Sequence, residues 1–282
     1  MELRRFGWTG LTVPVIGQGT WNLERDPRPA AIAALRRGLD RGMTHVDTAE
    51  MYGGGRVEEL VGEAIAGRRD EVFLVSKVLP QNASRAGTLE ACARSLRRLR
   101  TDHLDLYLLH WPGPHPIAAT VAGMEALRAA GKIGAWGVSN FDEYLLAETE
   151  RAAGPGRVAC NQVFCHLELR AIEHAVIPWC EARGVAVTAY SPFGGGLGPF
   201  PSTPEGRRVL EETARGRGAA PRQIALAWTV RRPSVFTIPR TYTLAHALDN
   251  AAAGDLVLTE AEIARLDAAF PRGPKPAALP RI

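Results

Sequence analysis

Eight short apolar runs alternate with amphipathic helical stretches along this 282-residue chain, and that alternation limits the fold more than any other feature. The runs occupy residues 15–18, 45–47, 72–77, 104–110, 135–139, 158–163, 185–191 and 235–240. Between them, Val57, Leu60, Val61, Ala64 and Ile65 repeat at the spacing of one helix face, as do Leu89, Cys92, Leu96 and Leu99. A last helix opens with the capping-box pair Thr259 and Glu262 ahead of Ile263 and Leu266. Strands rich in Val, Leu and Ile, each followed by a helix, require a parallel sheet covered on its outer face. Eight such units suit a closed (β/α)8 TIM barrel of the α/β class better than an open doubly wound sheet. Residues 3–13 read as a short β-hairpin turning at Thr9-Gly10 and capping the barrel bottom. With no internal repeat or long linker, one domain over 1–282 is expected, ending in an irregular proline-rich tail after Phe270.

Composition removes several classes. Hydrophobic residues make up 46%, enough for a large core, yet no apolar run has the length of a membrane span. The start, MELRRFGW, lacks the apolar stretch of a signal peptide, so a cytoplasmic location is expected. Cys92, Cys160, Cys165 and Cys180 show no metal or disulfide spacing and read as small buried apolar residues in a reducing compartment. The net charge of +4 comes with arginine pairs scattered over separate segments, which does not make a nucleic-acid groove. A mild positive field would help gather a small polyanion.

The ionisable residues at successive strand ends carry the chemistry. Asp47 closes the second run, Lys77 the third and His110 the fourth, while Tyr52 lies five residues past Asp47 in a glycine-rich turn. Only Lys77, Lys132 and Lys275 of the 34 basic residues are lysine, so a lysine ending a buried strand suggests a task that arginine performs badly. A compact ammonium beside a phenol stabilises its anion and lowers its pKa, easing proton donation. Asp47 would hold the ammonium charged and oriented, and His110 would donate a hydrogen bond to a carbonyl oxygen. Such a group protonates an oxygen that gains negative charge, as when hydride adds to an aldehyde or ketone. Each residue has a plainer reading: Asp47 as a helix cap, Tyr52 as packing, Lys77 as an ion-pair partner, His110 as a satisfied core histidine. Their joint placement on consecutive strand ends favours the chemical one.

No G-x-G-x-x-G opens a helix after a strand, so a Rossmann site is unsupported. A barrel holds phosphates in the loops after strands seven and eight. Here those loops contain the glycine-rich segment 191–198 and the segment 238–241, in which Arg240 and Thr241 suit a phosphate.

At these residues the chain resembles the aldo-keto reductases over nearly its whole length. The shared motifs, in the family's order and separation, are GQGTW at 17–21, DTAEMYG at 47–53, LVSK at 74–77, LDLYLLHW at 104–111, GVSN at 137–140, NQV at 161–163, AYSP at 189–192 and IPRT at 238–241. It looks most like the short bacterial members that reduce methylglyoxal and related small aldehydes. The resemblance implies NADPH, with NADH as the alternative coenzyme, and Tyr52 as general acid in a tetrad with Asp47, Lys77 and His110. It places Ser139, Asn140 and Gln162 on the nicotinamide carboxamide, Tyr190 against the nicotinamide ring, and Thr20 and Trp21 beside its ribose. Ser191, Phe193, Leu197, Arg240, Thr241, His246 and Asn250 follow the coenzyme toward adenosine, and Trp21 and Trp111 join Tyr52 and His110 in lining the substrate pocket. No metal is implied.

The chain departs from the family's commonest pattern at the adenosine end. Arg240-Thr241 stands where many relatives have Lys-Ser, and His246 where an Arg often grips the 2′-phosphate, which weakens the expected preference for NADPH over NADH. The short segment 111–116 after His110 leads us to expect a shallow, open pocket with broad activity on small aldehydes and α-dicarbonyls. The expected assembly is a monomer or a weak homo-oligomer. Two other readings stay open at this point: an NADP(H)-binding sensor or regulatory subunit with little turnover, and a metal-dependent barrel hydrolase.

Overall fold

The computed structural model describes residues 1–196, 198 and 200–282. An antiparallel hairpin comes first, β1 (Leu3–Arg5) pairing with β2 (Thr12–Pro14). Eight parallel strands then follow in sequence order across one sheet: β3 (Gln18–Gly19), β4 (His45–Asp47), β5 (Phe73–Val78), β6 (Leu104–Leu109), β7 (Ile133–Ser139), β8 (Val158–Phe164), β9 (Ala186–Tyr190) and β10 (Val235–Thr237). Backbone bridges Ile16–Thr237 and Gly19–Arg240 join the two edge strands, closing the sheet into a (β/α)8 barrel. Between and after the strands run α1 (Arg28–Asp40), α2 (Arg56–Ala64), α3 (Arg85–Leu99), α4 (Ile117–Ala129), α5 (Glu143–Ala153), α6 (Val176–Glu181), α7 (Pro204–Gly216), α8 (Pro221–Thr229), α9 (Leu244–Ala253) and α10 (Glu260–Ala269).

The eight expected runs correspond to the eight barrel strands, and the largest difference lies at the seam. The run 15–18 forms regular strand only at Gln18–Gly19, and 235–240 only at Val235–Thr237. The cause is local. Pro239 has no N–H to donate, so the seam is carried by isolated bonds such as Gly17 N to Thr237 O at 2.7 Å and Gly19 N to Pro239 O at 3.1 Å. Gly19 makes the approach possible, since a Cβ there would stand 2.4 Å from the Ile238 carbonyl oxygen.

The pleat splits each strand between two cores. Phe73, Val75, Leu106, Leu108, Ala135, Cys160, Ala186 and Phe236 fill the barrel, while Leu74, Val78, Tyr107, Leu109, Trp136, Val138 and Val187 meet the helices outside. Val57, Leu60 and Val61 from α2 and Cys92, Leu96 and Leu99 from α3 bury the stripes read from the sequence. The hairpin seals the lower end: Phe6 is fully buried with its ring 4.9 Å from those of Phe73 and Phe236. Burying such a ring stabilises by about 1.5–3 kcal/mol. The Thr259–Glu262 capping box forms at α10, and all four cysteines are buried and free. Among the described residues no helix is long and apolar enough to cross a membrane.

Candidate active site

Followed upward from the floor, the inward side chains of six strands change character at or near the upper end of the strand. Phe73 and Val75 lead to Lys77; His45 leads to Asp47; Leu106 and Leu108 lead to His110; Ala135 leads to Ser139, Cys160 to Gln162, and Ala186 to Tyr190. All of these polar ends but Lys77, with Tyr52 from the loop after β4, line a cavity of about 130 Å³ at the upper mouth. Tyr52 reaches it because Gly53, Gly54 and Gly55 run consecutively at φ of 57°, 65° and 95°, turning the chain sharply just beyond the phenol.

Lys77 lies fully buried beneath the cavity, and its three N–H bonds are all used. Nζ donates to Asp47 Oδ1 at 2.5 Å, to the Thr48 carbonyl at 2.9 Å and to Tyr52 Oη at 3.3 Å. Gln162 Nε2 donates to the other Asp47 oxygen at 2.7 Å, so both carboxylate oxygens are bonded. Because Tyr52 accepts from the ammonium, its own O–H is left to point elsewhere. The His110 ring stands edge-on to the Tyr52 ring, with centroids 5.7 Å apart, and its buried Nδ1 has no partner.

Burial dominates the electrostatics. It raises the Tyr52 hydroxyl above its ordinary pKa, with the Lys77 charge pulling the other way and the Asp47 charge adding to the rise. The sequence led us to expect a net lowering by the ammonium; desolvation outweighs it, because the phenol is only 9% exposed. Burial alone would pull Lys77 down, but Asp47 and Tyr52 together hold it above the usual amine value. Asp47 is raised by burial against the opposing pull of Lys77 and Gln162. Burial, then the Lys77 charge, pushes His110 well down, so its ring is neutral. One layer deeper, His45 packs against Phe6 and Phe73 and is lowered to about 3 by burial and then by Lys77.

Thr20, Trp21, Trp111, Ser139, Asn140, Gln162, Tyr190, Ser191 and Arg240 also line the cavity, as the sequence suggests. Asn140 (φ 63°) and Ser191 (φ 51°) are held in left-handed backbone just past β7 and β9. Asn140 knots the rim together: its Nδ2 donates to the His110 carbonyl at 3.1 Å, and its Oδ1 accepts from Tyr190 Oη at 2.8 Å. Tyr190 stacks on Phe164, with ring centroids 5.4 Å apart and planes nearly parallel, and also lines the cavity. Phe193, His246 and Asn250 lie in an adjoining cleft of about 450 Å³, which shares Arg240 with the first cavity. The Thr241 hydroxyl lines neither; it accepts from Thr243 N at 3.1 Å. Leu197 lies outside the described residues.

Some contributors were not read from the sequence. Ile238 continues the inward parity of Phe236 and could have been found from it, whereas Ile282 comes from the irregular tail and carries no local signal. Glu50, in the middle of the DTAEMYG motif, accepts from Leu79 N at 2.8 Å and Asn82 Nδ2 at 2.9 Å, tying the loop that carries Tyr52 to the segment after β5.

A barrel whose strand ends gather a buried lysine, a phenol and a neutral imidazole beside a cleft with several cations defines a carbonyl–alcohol oxidoreductase. The chain belongs to the aldo/keto reductase family, whose model matches residues 15–270. It is 43% identical over 274 residues to methylglyoxal reductase YeaE of Escherichia coli, covering 96% of both chains. It is 33% identical to aldo-keto reductase family 1 member A1 of Rattus norvegicus, over 92% of this chain and 87% of that one. A crystal structure of an aldo-keto reductase from Klebsiella pneumoniae in complex with NADPH superposes with a TM-score of 0.93 at 43% identity, covering 100% of this chain and 99% of that one.

Proposed function

We propose that this chain reduces small aldehydes and α-dicarbonyls of the methylglyoxal type to alcohols with NADPH, using Tyr52 as the general acid. The observation that carries this is the fully bonded Lys77 ammonium, which donates to the Tyr52 oxygen and leaves the Tyr52 O–H free to face the cavity. The chain's likeness to a methylglyoxal reductase and to an NADPH-bound relative supports the substrate class and the coenzyme.

The residues present fit a nicotinamide coenzyme. Tyr190 offers a flat face for the ring, Ser139, Asn140 and Gln162 offer amide partners, and the glycine-rich 191–196 segment and Arg240 suit phosphates. When bound, NADPH supplies the hydride that adds to the carbonyl carbon. The chain does the rest. His110, neutral by burial, donates a hydrogen bond that orients the carbonyl oxygen. As that oxygen gains charge, the Tyr52 O–H bond breaks and its proton forms the new alcohol O–H. Lys77, already donating to the Tyr52 oxygen, stabilises the phenolate left behind, and Asp47 holds Lys77 in place. Solvent then returns a proton to Tyr52. Trp21 and Met51, each more than a third exposed, form a loose apolar rim that admits small carbonyls without selecting one shape.

The test is oxidation of NADPH, followed by its near-ultraviolet absorbance, with methylglyoxal, a nitrobenzaldehyde, glyceraldehyde and a ketosteroid, each repeated with NADH. Turnover of the small aldehydes with little on the steroid is expected. Tight NADPH binding without turnover of any of them would replace this reading with that of a coenzyme-binding regulatory subunit.

A further inference from the structure

The cleft beyond Arg240 gathers several cationic side chains. Arg207, Arg222, Arg240 and His246 line it, against the carboxylates of Glu211 and Asp249. Arg240 is engaged already: it forms an ion pair with Asp26 and donates to the Asn22 carbonyl at 3.3 Å. His246 offers an imidazole where a fixed guanidinium would bind an anion through two parallel bonds. Arg207 reaches only the Pro201 carbonyl, at 3.5 Å. Arg222 differs from the others. Among the described residues it pairs with no carboxylate, and its guanidinium lies over the Phe193 ring at 4.9 Å from the centroid. That stacking pre-orients a planar fork at the wall of the cleft while leaving its N–H groups unspent.

We propose that Arg222 determines coenzyme specificity by gripping the 2′-phosphate of NADPH, taking over a task for which position 246 here supplies only histidine. The inference rests on the NADPH reading above. A 2′-phosphate is the group by which NADPH differs from NADH, so a cation that meets it tightens one coenzyme and leaves the other alone. Arg222 lies in the first turn of α8, on a different element from Arg240 and from His246 of α9, so a phosphate in the cleft would be held from two sides. The Phe193 ring fixes the direction of the fork, while Arg240, held by Asp26 and the Asn22 carbonyl, lies nearer the cavity mouth.

The experiment measures dissociation constants of wild type, R222Q and R222K for NADPH, NADH, 2′,5′-ADP and 5′-AMP. R222Q should weaken NADPH and 2′,5′-ADP by about 10- to 100-fold, the range of a hydrogen-bonded charge contact, and change NADH and 5′-AMP by less than about 2-fold. R222K, which keeps the charge without the planar fork, should recover part of the loss. Equal losses for both coenzymes would mean that Arg222 only shapes the cleft through Phe193, and no loss for either would put the phosphate elsewhere; each overturns the inference while leaving NADPH as coenzyme. Wild-type protein that binds neither coenzyme would instead overturn the coenzyme reading, and this inference with it.

Discussion

The tetrad and the cleft beyond Arg240 solve the same problem, holding charge in place, by opposite means. At the tetrad every charge is buried and bonded: Lys77 spends all three donors, and both Asp47 oxygens have partners. In the cleft the cations are largely exposed, come from loops and helix starts, and Arg222 leans on an aromatic ring instead of a carboxylate. Burial makes the first set nearly immovable and sensitive to any deletion. Exposure makes the second adjustable, since each charge is partly screened by solvent. On the proposed reading chemistry depends on the first set and coenzyme choice on the second, and mutations should separate the two.

The largest effect is expected for Tyr52→Phe. Losing the general acid should lower kcat by about 10²- to 10⁴-fold, while NADPH affinity stays within about 2-fold. Steady-state kinetics with methylglyoxal and coenzyme fluorescence titration measure the two, and a wild-type kcat would remove Tyr52 from the acid role. Next comes Lys77→Met, which strands Asp47 as an unpaired buried charge and should cost about 3–5 kcal/mol in denaturant unfolding. Adding Asp47→Asn should recover part of the stability and none of the activity. A double variant no more stable than Lys77→Met would mean that the pair matters for shape and not charge.

A smaller effect links pH to folding. His45, lowered to about 3, and His110, lowered well below the usual imidazole value, both stay neutral in the fold, whereas unfolded histidine gains a proton near 6.5. Below that value the unfolded chain binds more protons, so stability falls as pH drops from about 6.5 toward 3, by up to about 1.4 kcal/mol per pH unit for each histidine. Thermal unfolding across that window should show the slope, and His45→Gln should flatten it. Alcohol oxidation should also rise with pH up to and beyond about 10, because burial raises the Tyr52 hydroxyl and oxidation needs it deprotonated. The smallest effect belongs to the cleft: His246→Arg should tighten NADPH about 5- to 10-fold and NADH less than about 2-fold. Equal changes would place His246 away from the 2′-phosphate.

The same contrast explains what the sequence could reveal. The tetrad was legible because strand geometry fixes parity: once a residue is inward, those two positions on are inward too. Asp47, Lys77 and His110 could thus be assigned to one mouth without coordinates. The direction of the Tyr52 shift could not, because it depends on how completely a phenol in a loop is covered, which no spacing reports. Arg222 was equally hidden, since it meets Phe193 only after α8 and the segment following β9 have packed together. The seam was misjudged by a few residues at 15–18 and 235–240, where Pro239 and the bare approach at Gly19 replace regular pairing with single bonds.

The inward–outward alternation also governs how this protein can change length. One residue inserted near the middle of β5 would exchange Ser76 for Lys77 at the mouth, sending the ammonium outward, where Ser76 now donates to the buried Glu58, and leaving Tyr52 and Asp47 with a hydroxyl. Substitutions along a strand are absorbed one at a time, but a frame slip reverses every later side chain together. Growth and shortening are therefore confined to the connections, which supply much of the cavity and cleft lining, so the lining can change by lengthening loops while Asp47, Lys77 and His110 keep their register.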